Sequence, residues 1–234
     1  MIGGTIMSCI IPNIYSQPTD TNLWNILLSS GIPRHYQKGE FVFEKDQPSN
    51  GLICLKKGKV KVSSFFSEGS EKIFGILVAP ALFGETETLD QGPRMVSATA
   101  LTHVEIVAIS GNKTKELIYT YPDIALSIIQ SIGVKLRWTT LQAEDLSTQK
   151  IEYRLARLLL DFKHYGIFTS KNNDNCLMIT HEELAHFIGT ARSKVTTYLN
   201  EFAHKGLIRL RRGEIRILDT AGLNKYKYTH KSQA

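Results

Sequence analysis

Cysteine is scarce and scattered in this chain. Cys9, Cys54 and Cys176 lie far apart and form no CxxC pair, so structural zinc and a disulfide framework have no basis. A reducing, cytoplasmic setting is expected. Long hydrophobic runs are also missing: nothing reaches the roughly 18 apolar residues of a membrane span. The opening MIGGTIMSCIIPNIYS lacks the basic segment of a secretory leader. Histidines such as His35 and His103 stand singly, without HxH spacing or a carboxylate at ligand distance in sequence. A metalloenzyme built on a cupin-like roll therefore has no ligand set, and neither catalysis nor a cofactor is expected. What the chain does have is 234 residues and 42% hydrophobic content, enough for two domains of ordinary size.

Charge is unevenly placed. Residues 148–234 hold fifteen Lys and Arg against eight Asp and Glu, whereas residues 1–147 hold thirteen against fourteen. A basic domain joined to a near-neutral one is the footprint of a polyanion binder. The stretch ITHEELAHFIGTARSKVTTYLN, residues 179–200, gives that charge a purpose. Thr180 and Glu183 form a capping-box pattern, Leu184, Phe187 and Ile188 recur at helical spacing, and Gly189 marks the turn. A second helix follows with Val195, Tyr198, Leu199 and Phe202 inward. Its outward face carries Arg192, Ser193, Thr196, Thr197 and Asn200, side chains that reach phosphates or base edges. Two short helices around a glycine also occur in proteins that never touch nucleic acid. The next segment, KGLIRLRRGEIRILD, narrows the choice. Two alternating runs flank Arg212-Gly213, the pattern of a β-hairpin wing, and it carries Lys205, Arg209, Arg211, Arg212 and Arg216.

Upstream, residues 34–110 alternate apolar and polar side chains in short runs broken at Lys38-Gly39, Lys57-Gly58, Glu68-Gly69 and Gly92-Pro93. This predicts an all-β barrel or jelly roll, either enclosing a small ligand or packed solid. Pro122 then opens a long helix. Ala125, Ile129, Ile132, Leu136, Thr139, Ala143 and Leu146 repeat at 4, 3, 4, 3, 4, 3, the spacing of an a/d seam. A second stripe of Ile124, Ile128 and Val134 faces the roll. A parallel homodimer follows, suited to two DNA half-sites one helical turn apart; a single buried helix with a wide apolar face is the alternative.

The order roll, dimer helix, winged helix resembles the CRP/FNR transcription regulators. KGKVKV, LFGETETL and ITHEELAHFIGTARSKVTTYL carry the resemblance, which spans about residues 30 to 220. The expected fold is α+β: an N-terminal β-roll, of the jelly-roll, cyclic-nucleotide-binding type, over residues 1–120, a dimerisation helix over 121–147, and a winged helix-turn-helix over 148–234. The resemblance implies an effector-controlled homodimer that binds double-stranded DNA through Thr180, Arg192, Ser193, Lys194, Thr196 and Thr197, with RNA polymerase as a further partner. Ser193 and Thr197 depart from the family's common glutamate and arginine, which points away from a TGTGA half-site.

The resemblance also frames the effector. Gly84, Glu85 and Arg94 match the cyclic-AMP loop, and Thr139 and Thr140 match the helix pair that meets the base. Met95, however, stands where a phosphate-binding serine belongs, leaving a cyclic-nucleotide effector as the alternative. Three cysteines also fall short of the four that the oxygen-sensing branch needs for its cluster. The chain further resembles chlorophenol-sensing regulators of organohalide respiration, through Cys9-Ile10-Ile11-Pro12, the hairpin GLICLKKGKVKVSSFFSEGSEKI and Lys135-Leu136-Arg137-Trp138. That likeness implies a phenolic effector paired with Lys135 beside Trp138, and a redox role for Cys9. From its residues alone, Lys135 reads equally as a surface lysine flanking the seam, and the thiols as buried and inert.

Overall fold

A computed structural model describes residues 21–66, 69–148, 150–162, 165–167, 169–170 and 173–227. Cys9 and its Ile-Ile-Pro neighbours lie outside the described residues. The chain opens with α1 (Thr21–Ser29), then β1 (Ile32–Tyr36), β2 (Phe41–Phe43), β3 (Leu52–Lys57), β4 (Lys59–Phe65), β5 (Glu71–Val78) and β6 (Ala81–Phe83). A short α2 (Glu85–Asp90) interrupts the strands before β7 (Ser97–Ala100) and β8 (Val104–Ile109). Two antiparallel sheets result, ordered β1-β8-β3-β6 and β2-β7-β4-β5, and face each other as a roll. Strand alternation explains which side chains fill it: Ile53, Leu55, Val60, Ile73, Ala98 and Ile106 point inward and are buried.

Two helices follow at a bend: α3 (Gly111–Thr120) and α4 (Pro122–Thr148). Proline suits the first helical turn because its missing N–H has no intrahelical partner there. Ile124 and Ile128 are buried against the outer face of β1-β8-β3-β6, in one cluster with Trp24 and Leu27 of α1 and Leu117 of α3. The expected roll-facing stripe is thus in place. Of the a/d series read in the sequence, Ile129, Leu136, Thr139, Ala143 and Leu146 are exposed, whereas Ala125 and Ile132 are half-buried and Leu126 and Gly133 beside them are exposed instead. Leu126, Ile129 and Leu136 are 56%, 62% and 65% exposed, and Gly133, Thr140 and Ala143 continue the same exposed face. Ile132 is half-buried instead, packed toward the Trp24 cluster. The cluster around Trp24 covers the Ile132 side of the helix, which heptad spacing alone does not reveal.

The remaining elements are α5 (Ile151–Leu160), β9 (Thr169–Ser170), β10 (Asn173–Met178), α6 (His181–Ile188), α7 (Arg192–His204), β11 (Ile208–Arg211), β12 (Glu214–Ile217) and α8 (Thr220–Lys227). Here β11 and β12 form the expected wing hairpin, extended by β10 and β9 into a four-stranded sheet. The two domains dock directly. Ile76 N–H of β5 donates to Tyr165 C=O at 3.0 Å, Lys72 Nζ donates to Phe187 C=O of α6, and His186 Nδ1 lies 3.3 Å from Glu71. Gly166 makes this approach feasible: a Cβ there would sit 2.0 Å from Ile76 O. Cys54 and Cys176 are buried free thiols, and burial pushes Cys54 up to about 12. Neither has the thiolate character that redox chemistry needs.

Candidate effector cavity and nucleic-acid interface

The recognition motif is built from its caps outward. Thr180 Oγ1 accepts from Glu183 N–H at 3.2 Å, and the Glu183 carboxylate accepts from Thr180 N–H at 2.8 Å. These two bonds satisfy orphan donors at the start of α6, a contribution of about 1 kcal/mol. Gly189, at φ 66° and ψ 59°, closes the helix in the left-handed region. In α7, Val195, Leu199 and Phe202 are buried, which turns Arg192, Ser193, Lys194, Thr197 and Asn200 to solvent.

Thr196 behaves differently from its expected role as an outward DNA contact. It is half-buried, and its hydroxyl lies 2.9 Å from His181 Nδ1. Thr197 Oγ1 donates back to Ser193 C=O at 3.1 Å. Arg192 sits 3.6 Å from Glu182, with both side chains more than half exposed. Such a surface pair contributes little and yields readily to a phosphate. Thr180, His181, Glu182, Arg192 and the wing residues Arg211 and Arg212 surround an open concavity of about 620 Å³. Three arginines on its rim give it the charge and donor geometry for a polyanion backbone.

A second cavity, of about 340 Å³, lies between the β2-β7-β4-β5 sheet, the β6–α2 junction and α4. That volume falls in the ordinary range for small-ligand sites, about 300–1,000 Å³. Phe43, Phe74, Phe83, Val62, Val96 and Trp138 form apolar walls; Glu85, Lys135, Thr139 and Gln142 supply polar groups. Lys135 Nζ donates to the Glu85 carboxylate and, at 3.2 Å, to Leu82 C=O. Ser131 Oγ adds a donor to Glu85 at 3.3 Å. Trp138 is buried with its ring edge-on to Tyr165, centroids 4.6 Å apart, and Tyr165 meets Phe187 of α6 at 5.5 Å.

The sequence-derived effector residues divide here. Gly84, Glu85, Lys135, Trp138 and Thr139 line the cavity, as does Met95. Arg94 does not. It is 1% exposed and directs Nη1 to Gly84 C=O at 3.1 Å and Nη2 to Gly51 C=O at 2.8 Å. Glu87 pairs with it at 3.4 Å, and its guanidinium stacks 4.2 Å above the Phe43 ring. Burial lowers its pKa while Glu87 opposes the shift. Nη1 and Nη2 hold the loop together, while the buried Nε has no hydrogen-bond partner among the described residues. Thr140 also falls elsewhere: exposed on the outward stripe, it donates to Leu136 C=O at 2.9 Å. Sequence reasoning missed the phenylalanine walls and Gln142. The three phenylalanines lie on β2, β5 and β6 and Gln142 on α4, so only the fold brings them together around Trp138.

A ligand-sized cavity in a β-roll, a long helix beneath it and a basic winged helix-turn-helix define a DNA-binding transcription regulator with a sensor domain. Comparison with known proteins agrees. Residues 33–121 match the cyclic nucleotide-binding domain model, and residues 153–226 match the Crp-like helix-turn-helix domain model. A CRP-like cAMP-activated global transcriptional regulator of Mycobacterium tuberculosis is 30% identical over 196 residues, covering 82% of this chain and 86% of that protein. The cyclic AMP receptor protein of Thermus thermophilus is 28% identical, over 87% and 92% of the two chains. Among solved structures, CprK complexed with OCPA shares the fold at TM-score 0.68 and 18% identity, over 87% of this chain and 92% of that one. The chain belongs to the CRP/FNR family of transcription regulators. No single helix among the described residues is long and apolar enough to cross a membrane.

Proposed function

We propose that the chain works as a cytoplasmic homodimer that binds a palindromic duplex and is switched by a small aromatic acid, phenolic in the favoured form, held in the roll cavity. The observation that carries the effector reading is the contrast between Arg94 and Lys135. The arginine that would grip a cyclic phosphate is committed to backbone carbonyls and Glu87. Lys135 instead stands at a cavity walled by four aromatic rings, Phe43, Phe74, Phe83 and Trp138. A phenolate would share that ammonium with Glu85 while its ring meets those faces. An ammonium beside a phenol oxygen favours the ionised form, so affinity should fall as pH drops below the ligand's pKa.

The exposed stripe of Leu126, Ile129 and Leu136 supports the dimer, because apolar side chains at a/d spacing bury well against a second copy. Effector binding moves the equilibrium only if it favours the DNA-competent arrangement of the two helices. RNA polymerase is the further partner this reading implies.

The competing reading, cyclic-nucleotide control, draws on the cAMP-activated relative at 30% identity. Titration with cyclic AMP and with substituted phenols, followed by tryptophan fluorescence, separates the two. Phenol binding that weakens at low pH, and loses that pH dependence in Lys135→Met, supports the aromatic effector; micromolar cyclic AMP binding without any phenol response overturns it. For DNA, duplexes selected from a random pool test the interface. Arg192→Ala should cost about 1–3 kcal/mol and relax one base pair per half-site; unchanged affinity and selectivity would remove Arg192 from base reading.

A further inference from the structure

We propose that His181 is a proton-linked DNA-backbone contact: Thr196 clamps its ring so that a phosphodiester reaching the concavity meets the imidazole and is bound more tightly when the ring takes up a proton. The inference rests on the DNA-binding reading above and deepens it. His181 is half-buried at the wall of the basic concavity, between Thr180 and Arg192 and facing the wing arginines Arg211 and Arg212. Its Nδ1 is held 2.9 Å from Thr196 Oγ1 on α7, while Nε2 has no partner among the described residues.

The choice of a hydroxyl as clamp matters. A threonine O–H both donates and accepts. In the neutral ring with its proton on Nε2, Thr196 donates to Nδ1; in the imidazolium, Nδ1–H donates to Thr196. The ring therefore keeps its position in both charge states and presents an Nε2–H donor in each. Protonation adds a full positive charge without a rearrangement.

The surroundings set the resting state. Burial lowers the pKa of His181, and the Arg192 guanidinium lowers it further. Glu182 on its own helix is drawn toward Arg192 at 3.6 Å, and Arg211 and Arg212 face the same concavity. Free protein near neutral pH accordingly holds the ring uncharged, below the ordinary histidine value of about 6.5. A phosphodiester brings negative charge to the ring and exchanges for Glu182 at Arg192, and both changes raise the pKa in the complex. Protons are then taken up on binding, so affinity rises as pH falls through the bound-state value and levels off below the free-state value. Each unit of difference between the two is worth about tenfold in affinity per protomer.

Fluorescence anisotropy with a duplex selected by the full-length protein, at fixed salt from pH 8 to pH 5.5, tests the proposal. The parent should tighten as pH falls. His181→Gln keeps a polar side chain at the clamp but cannot titrate, and should lose the greater part of that slope. His181→Arg, charged throughout, should bind at pH 8 at least as tightly as the parent and also show a flattened profile. His186, paired with Glu71 and Glu182, is present in all three proteins, so any contribution it makes cancels in the comparison. A His181→Gln slope equal to the parent's overturns the proposal while leaving DNA binding intact; a parent that binds no duplex at any pH overturns the DNA-binding reading itself.

Discussion

Replacing Lys135 with Met tests the polar anchor of the roll cavity without any need for an effector. Methionine preserves the length of the side chain and removes only the ammonium. The Glu85 side chain is 2% exposed and Lys135 22%, so the variant leaves a desolvated carboxylate facing an apolar cavity. Breaking one partner out of a buried pair costs about 3–5 kcal/mol. Two features pull this case lower: Ser131 still donates to Glu85, and the partly exposed lysine site admits water. A loss of about 2–3 kcal/mol is expected on that basis, which in a chain of this size lowers the melting temperature by roughly 5–10 °C. The double variant Lys135→Met with Glu85→Gln removes the stranded charge and should recover more than half of the loss. Denaturant unfolding of parent, both single variants and the double gives the coupling energy directly. A Lys135→Met protein within 0.5 kcal/mol of the parent, or a double variant no more stable than it, would refute the claim that this pair anchors α4 to the loop.

Three further outcomes follow from the geometry. Leu136→Asp places two carboxylates in the proposed helix interface and should yield monomers in sedimentation at micromolar concentration, whereas Ile132→Asp, facing the Trp24 cluster, should first lower the melting temperature. Gly166→Ala forces a Cβ against Ile76 O at a residue with φ 71°; it should cost more than about 1 kcal/mol and increase amide exchange at Ile76, and a parent-like exchange rate would show that the docked contact is not maintained. Thr180→Ala removes the capping hydroxyl and should destabilise the protein by about 1 kcal/mol while weakening DNA binding, a pairing checked by melting and anisotropy on the same sample.

The parts legible in the sequence are those fixed by short-range physics. Thr180, Glu183 and Gly189 announce the two ends of α6 because caps and left-handed turns demand particular side chains. Arg212-Gly213 announces the wing turn for the same reason. The roll showed in its alternation, and Pro122 marked the start of α4. What escaped was decided at long range. The exposed stripe of α4 keeps Ile129, Leu136 and Ala143 of the expected row but loses Ile132, which packs against the Trp24 cluster. Arg94 occupies a familiar motif position, yet Gly51, 43 residues upstream, accepts from its guanidinium. Strand β10 carries no strong alternation and forms on the edge that β12 offers, and β9 in turn pairs with β10. Nothing in the sequence marks His181, because its partner Thr196 stands fifteen residues away and only the fold places the two together.

Trp138 belongs to two environments at once: one side of its ring faces the roll cavity, and its packing runs through Tyr165 to Phe187 of the DNA-reading motif. If the cavity holds the proposed effector, this constrains how the protein evolves. Any substitution that reshapes the cavity at Trp138 also disturbs the seat of α6, so new ligand preferences acquired there arrive with altered regulation. Met95, Val96 and Val62 line the same cavity from the roll side, outside the series of rings that runs from Trp138 through Tyr165 to Phe187. Selectivity is free to drift at those three positions while the regulatory linkage is inherited unchanged.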